Sequence, residues 1–459
     1  MLQNMMEVEL MCFQKRIKNI CRLKKELELI KYIIDEGRKK MTIEYKGKSK
    51  VEQNQNPLEL LAPAGNLEKL KFAIDYGADA VYLGGKSYGL RAFAGNFSRE
   101  DMRAGVDYAH SRGRKVYITV NIFPHNEDLE GLEEYLKELQ SIGVDAIIIS
   151  DPGILRICKE TVPEMEIHLS TQANCTNWRS AKFWKDQGIN RIILARELSL
   201  AEIEQIHRME SNIEFETFVH GAMCISYSGR CLLSNYLANR DANRGECAHP
   251  CRWQYYLMER ERPGEYLPIT EDQEGTKIMS SKDLCMIRHI PELIDAGIKN
   301  FKIEGRMKSV HYVATVVRAY RKAINAYLSD PDNYSFKREW EEELKKASTR
   351  PFSTGFYFGS PDETDQEYTK EPRQSNRDFV GIVLNSQDGY LTIQQRNHFQ
   401  IGDRIEIIGP NKTYGEFVIN EIINSEGKKS QAAPHPKEVV TVPLNVDCEP
   451  NSLIRKILG

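Results

Sequence analysis

Four of the ten cysteines in this 459-residue chain fall between Glu216 and Trp253. Cys224, Cys231, Cys247 and Cys251 are spaced C-x6-C-x15-C-x3-C, with His220, His249, Arg230, Arg244 and Arg252 among them. Soft sulfur donors suit zinc and iron–sulfur clusters alike, and four of them complete either shell. Disulfides are a second reading, but they persist mainly in oxidising compartments. A third makes the four residues small buried hydrophobes. The charged N-terminus lacks the apolar core of a secretory signal, so cysteine counting for an intracellular chain favours a metal or cluster. Zinc knuckles usually hold cysteines two to four residues apart, so the wide first arm leans toward iron and sulfur. Cys285 and Cys175 are further thiols that could reach the same place, whereas Cys12, Cys21, Cys158 and Cys448 stand alone and read as core residues.

The run ETFVHGAMCISYSGRCLLS, Glu216 to Ser234, resembles the signature of the collagenase-like peptidases, family 32 of the unclassified (U) peptidases. Glu216, Gly221, Ala222, Cys224, Gly229, Cys231 and Ser234 carry the match. LAPAGN (61–66), STQANCTN (170–177), SKDLC (281–285) and KIEGRMKS (302–309) extend it over roughly residues 57 to 360. The resemblance implies more than proteolysis. Several members are oxygen-independent hydroxylases of tRNA, ribosomal RNA or a quinone precursor, some with a 4Fe–4S cluster on this cysteine set. The continuation RCLLSNYLANRDANRGECAHPCRW is most similar to the branch that makes 5-hydroxyuridine at the tRNA wobble position and depends on prephenate. It implies tRNA and prephenate as partners, a paralogue as a further subunit, and Cys224, Cys231, Cys247 and Cys251 as cluster ligands, with zinc as the fallback. Some members take a ligand from nearer Cys285.

The elements that must position these residues repeat along the chain. An amphipathic helix, a glycine, a polar residue and a short apolar strand recur as YGADAVYLGG, RGRKVYITVNIF, IGVDAIIIS, QGINRIILA and AGIKNFKIE. Glycines 77, 113, 143, 188 and 297 suit the left-handed residue that closes a helix. Strands with little alternation are covered on both faces. With LELLAPA, MEIHLS and IEFETFVHG, about eight strands alternate with helices, which predicts an α/β fold: a (β/α)8-like barrel of the TIM type over 57–330, carrying the cysteine-rich insert. Residues 1–56 read as a charged amphipathic helix and linker, with Met41 as an alternative start. Residues 331–378 read as a bridging helix and polar linker, and 379–459 as a small antiparallel β-barrel of short alternating strands, with RNA docking one of its tasks.

Active sites of such barrels gather at the carboxyl ends of the strands. That rule nominates Glu216, His220, Glu304 and Arg306 as catalytic, and Asn66, Asn121, Gln172, Asn174, Arg196 and Lys308 as substrate-binding. Guanidinium and ammonium groups at a barrel mouth suit a small dicarboxylate such as the prephenate that the resemblance implies. Rival motifs are incomplete. LGGKS lacks the first glycine of a phosphate loop, no HExxH or GxSxG occurs, and a Cys224–His220 pair has no orienting third residue. A net charge of −3 leaves any RNA contact to a local basic patch, and no apolar run is long enough for a membrane span. The expectation is a cytoplasmic globular enzyme.

Overall fold

The computed structural model describes residues 58–85, 88, 96–224, 226–242, 246–252, 257–258, 266–267, 270–272, 275–277, 281–359, 361 and 375–458. The N-terminal helix, the linker before residue 57 and Arg244 lie outside the described residues.

Seven parallel strands pair in chain order: β1 (Glu59–Pro63), β2 (Ala80–Gly84), β3 (Lys115–Val120), β4 (Ala146–Ile149), β5 (Glu166–Leu169), β6 (Arg191–Ile193) and β7 (Glu214–Gly221). β8 (Asp283–Cys285) runs antiparallel beside the end of β7. β9 (Asn300–Ile303) pairs in parallel with both β7 and β1, and that double pairing closes the ring. β10 (Phe352–Ser353) extends the sheet by pairing with β8, so part of the bridging segment belongs to the barrel sheet. The sequence explains the closure. Strands such as AIII in β4 are buried at every position, because helices cover one face and the barrel interior the other.

The outer helices are α1 (Leu67–Asp75), α2 (Arg99–His110), α3 (Leu132–Ile142), α4 (Pro152–Thr161), α5 (Trp178–Asp186) and α6 (Leu200–Met209). Side-chain caps start all of these but α3, whose N-cap is Gly131: Asn66 accepts from Lys69 N, Asp151 from Gly153 N and Ile154 N, and Ser199 from Glu202 N. At the other end Gly143 closes α3 at φ 87°, a conformation in which only a residue without Cβ is unstrained.

The cysteine-rich insert leaves from Gly221 and returns at Leu284, and these two residues are direct register partners. Within it lie the short α7 (Leu233–Ala238) and two small antiparallel strand pairs. α8 (Ile290–Asp295) follows β8, and α9 (Val310–Ser329) follows β9 as a twenty-residue helix buried along most of its length. α10 (Arg338–Lys345) packs beside it.

The C-terminal region is antiparallel, as its alternation predicts. Its strands are β11 (Arg377–Gln387), β12 (Tyr390–Gln395), β13 (Phe399–Gln400), β14 (Arg404–Ile408), β15 (Thr413–Val418), β16 (Ile422–Ile423), β17 (Lys429–Ser430), β18 (Ala432–Ala433), β19 (Val439–Pro443) and β20 (Leu453–Ile457). Eight of them form one sheet in the order β15-β14-β20-β11-β12-β19-β16-β17, and β13 pairs with β18. The sheet is fastened to the barrel by buried polar contacts. Arg455, wholly buried, donates to His311 Nε2 (2.7 Å), Glu343 (2.7 Å), Glu406 (3.3 Å) and Thr315 (2.6 Å). Tyr76 donates its hydroxyl hydrogen toward the carbonyls of Ile408 and Asn451, at 3.1 and 2.9 Å.

Candidate active site at the barrel mouth

Two tiers of polar side chains occupy the barrel. The lower tier lies among the strands. Arg191 reaches Glu59 at 2.5 Å, Glu214 at 2.8 Å and Glu216 at 3.2 Å. Lys302 meets Glu216 at 2.7 Å and lies over the Tyr82 ring. Glu59 and Arg191 sit on strands that are not neighbours, so their contact crosses the barrel interior. His168 completes the tier, 2.8 Å from Glu166 and edge-on to Tyr117. Burial alone would neutralise Glu216; Lys302 and Arg191 outweigh it and hold the carboxyl below its ordinary value. The nominated Glu216 is thus a buried counter-ion bound on both sides.

The upper tier is the mouth. Arg306, four per cent exposed, follows β9 and arches toward β2 and β3. It donates to Asn96 Oδ1 at 2.9 Å and lies 3.4 Å from Thr119 Oγ1. Gly84 makes this approach feasible, since a Cβ there would stand 2.4 Å from Arg306 Nη2. Gly65 does the same below, where a Cβ would meet the Arg306 carbonyl at 2.2 Å. The double glycine at the end of β2 therefore makes room for an arginine and for Tyr135, whose hydroxyl is buried without a hydrogen-bond partner. Glu304 accepts from the Tyr82 hydroxyl at 3.2 Å, and Lys308 lies over the Tyr312 ring.

Across the mouth, Asn121 donates to Gln172 Oε1 at 2.9 Å and reaches Ser170 Oγ at 3.4 Å. Asn174 adopts the left-handed conformation, φ 53°, and its Oδ1 is buried with no hydrogen-bond partner. The insert is tied down over this edge. Arg230 donates to the Gln172 carbonyl at 2.9 and 2.6 Å, with its guanidinium over the Phe123 ring. Glu197 accepts from Ser228 N and Oγ at 2.5 and 2.9 Å. Arg196 donates to the Ala222 carbonyl at 3.0 Å, so this nominated clamp holds the insert's first residues. Asn66 is likewise occupied, as the cap of α1.

Among the described residues none of the four insert cysteines is in a disulfide; Cys224 is exposed and the others partly buried. The two arms are clasped by Ser234, whose Oγ accepts from Ala248 N at 2.9 Å. The donor set therefore fits a thiolate-bound group in type and number. Among the described residues, however, no three His, Cys, Asp or Glu side chains are gathered closely enough to hold a metal ion. Cys285 and Cys175 are core residues. Their neighbours are Tyr320, 4.0 Å from Cys285 Sγ, and the Asn177 carbonyl, 3.9 Å from Cys175 Sγ. Burial pushes both thiols up to about 12, against the thiolate that a metal requires.

His220 is not at the mouth. Its ring is enclosed by Tyr312, Tyr320 and Phe352, and burial lowers it to about 3. A ring so enclosed is too weak a base to take a thiol proton from the exposed Cys224. Arg306, Glu304, Asn121, Gln172 and Asn174 lie at the strand ends that form the mouth, Glu216 lies below, and Lys308 lies over the Tyr312 ring that encloses His220 outside it. Thr119, Tyr135, Asn96 and Phe123 carry no motif in the sequence; the Gly84–Gly85 pair reads there as a tight strand-to-helix turn, and the structure shows that it makes room for Arg306 and Tyr135.

A family model described as "Peptidase family U32" matches residues 65–367, and its C-terminal domain model matches 375–455. "tRNA hydroxylation protein P1" of Bacillus subtilis is 46% identical over 87% of this chain and 94% of its own length. "tRNA hydroxylation protein P" of Escherichia coli is 38% identical over 86% of this chain and 95% of its own. The E. coli "23S rRNA 5-hydroxycytidine C2501 synthase" is 39% identical over 60% of this chain and 40% of its own. With both family models matched in succession, from the glycine of LAPAGN to Arg455 at the sheet joint, the chain belongs to peptidase family U32.

Proposed function

We propose that this protein is a tRNA-modifying enzyme that converts the wobble uridine to 5-hydroxyuridine without molecular oxygen. The observation that carries the reading is the clasped four-thiol insert fastened over a barrel mouth that ends in a buried arginine. The substrate class comes from the relatives named for tRNA and rRNA hydroxylation. A cytoplasmic setting follows from a tRNA substrate.

In this reading Cys224, Cys231, Cys247 and Cys251 hold a 4Fe–4S cluster, which supplies one-electron chemistry when bound. The chain's own residues do the positioning. Arg306 and Lys308 bind the carboxylates of prephenate, whose derivative donates the oxygen. Asn121, Gln172 and Asn174 face the base across the mouth and offer amide donors and acceptors for its edge. The C-terminal sheet supports the tRNA body, and a paralogue is a further subunit in this reading. Binding at strand ends, beneath an insert, also keeps water from the reacting carbon.

The test combines two measurements. Protein purified without oxygen is assayed for iron, acid-labile sulfide and its visible spectrum, for wild type and Cys247→Ala. Total tRNA from a deletion strain is examined by mass spectrometry. Iron and sulfide that fall sharply in the variant, with 5-hydroxyuridine missing from the deletion strain, are expected. Zinc alone would reduce the insert to a structural clamp, and unchanged tRNA would overturn the activity.

A further inference from the structure

Away from the mouth, a cavity of about 300 Å³ lies where α9 and α10 meet the C-terminal sheet. Arg318 and Lys322, one turn apart on α9, line it together with Thr413 at the start of β15. Arg318 is four per cent exposed, yet among the described residues its hydrogen bonding amounts to one contact, Nη2 to Thr413 Oγ1 at 3.0 Å. Its Nε is buried with no partner. Burial lowers the affinity of both cations for their protons; Glu343 opposes this at each, with Glu406 at Arg318 and Glu339 at Lys322, while Arg455 adds to it at Arg318 and Arg318 at Lys322.

A buried guanidinium without a carboxylate is costly, and proteins normally pair it. Acids are present in this wall, but most are engaged elsewhere. Glu343 and Glu406 are held by Arg455 and Lys346. Glu342 pairs with Lys345 at 2.8 Å. Glu339 stands on the rim, at the first turn of α10. The wall thus carries both signs, and among the described residues Arg318 and Lys322 are the lining cations held by no ion pair, with room beside them and Thr413 for a partner.

We propose that this cavity is an oxyanion site that takes one phosphate group between the Arg318 fork, the Lys322 ammonium and the Thr413 hydroxyl. A guanidinium fork beside an ammonium is the arrangement that phosphate oxygens fit best. The phosphate comes either from an RNA backbone, which rests on the function proposed above, or from inorganic phosphate, which does not.

The experiment uses the full chain. Thermal unfolding is followed in inorganic phosphate and in chloride of equal ionic strength, for wild type, Lys322→Gln and Thr413→Val. Phosphate should raise the wild-type Tm by about 3 °C over chloride, and both variants should lose that rise. Neither substitution removes the buried Arg318, so both proteins should fold. No phosphate-specific rise, or an equal rise in all three proteins, would overturn the site. Binding of unmodified tRNA then separates the sources. A roughly tenfold loss in Lys322→Gln, with the salt dependence shallower by about one phosphate, assigns an RNA phosphodiester. Unchanged tRNA affinity alongside a lost phosphate response assigns the free anion. Hydroxylation enters neither readout, so a failed activity assay leaves this result standing.

Discussion

The lower and upper tiers of the barrel use the same residue types to opposite ends. Below, Arg191 and Lys302 are matched by Glu59, Glu214 and Glu216, each within ion-pairing distance. Above, among the described residues, the hydroxyl of Tyr135, near an arginine given space by two glycines, and across the mouth the Oδ1 of Asn174 are buried with no hydrogen-bond partner. A charge inside a barrel is therefore no sign of function by itself. Below, His168 Nδ1 also lacks a hydrogen-bond partner among the described residues, so what separates the tiers is that the lower one pairs its charges closely with carboxylates, while the mouth leaves a hydroxyl and an amide oxygen whose desolvation a ligand can offset.

The comparison is tested hardest at Glu216. Glu216→Ala strands Lys302 in the interior and leaves Arg191 with Glu59 and Glu214 alone, and should cost about 3–5 kcal/mol, read as a large drop in Tm or denaturant midpoint. A Glu216→Gln protein with wild-type Tm and no hydroxylation would break the division, because the lower tier would then be catalytic. Arg306→Lys probes the mouth. An ammonium cannot reproduce a fork, so 5-hydroxyuridine formation should fall about tenfold to a hundredfold while most of the stability remains. Parallel losses of stability and activity would show that Arg306 only holds the rim together.

Acid has the smallest effect per step, spread over several pH units. His220 is lowered to about 3 from an ordinary 6.5, so the unfolded chain takes up the proton first as pH falls. Stability is complete above about 6.5 and declines from there toward about 3, with a slope of up to about 1.4 kcal/mol per pH unit from this one ring. His168 and His311, also lowered by burial, act in the same direction. Glu343, lowered to about 2, adds a further loss below its ordinary 4.5. His220→Phe should flatten the upper part of this acid limb, as urea midpoints between pH 7 and 4 would show. A wild-type slope in that variant would mean the ring is not sealed in its aromatic pocket.

The repeated helix–glycine–strand unit was readable because it depends on local rules. Gly77, Gly113, Gly143, Gly188 and Gly297 all take positive φ, as helix-closing residues should. Strand ends located the mouth for the same reason. Sequence could not say which way each nominated side chain turns. His220 follows a register shift between β7 and β9, which leaves its ring among Tyr312, Tyr320 and Phe352. Asn66 has the composition of a ligand and the position of a cap, and only three-dimensional contact distinguishes the two. Partners such as Thr119 and Tyr135 meet Arg306 from segments far away in the chain, so no spacing rule could join them.

Because Gly221 and Leu284 face each other across one pair of strands, the insert begins and ends at a single point on the rim. A chain excursion with coincident ends transmits no length constraint to its host. Doubling such a loop costs only about 0.6 kcal/mol in closure entropy. The barrel can thus keep its eight-strand frame while the excursion grows, shrinks or is exchanged. Diversification of this scaffold has a natural port, and it opens on the rim of the barrel.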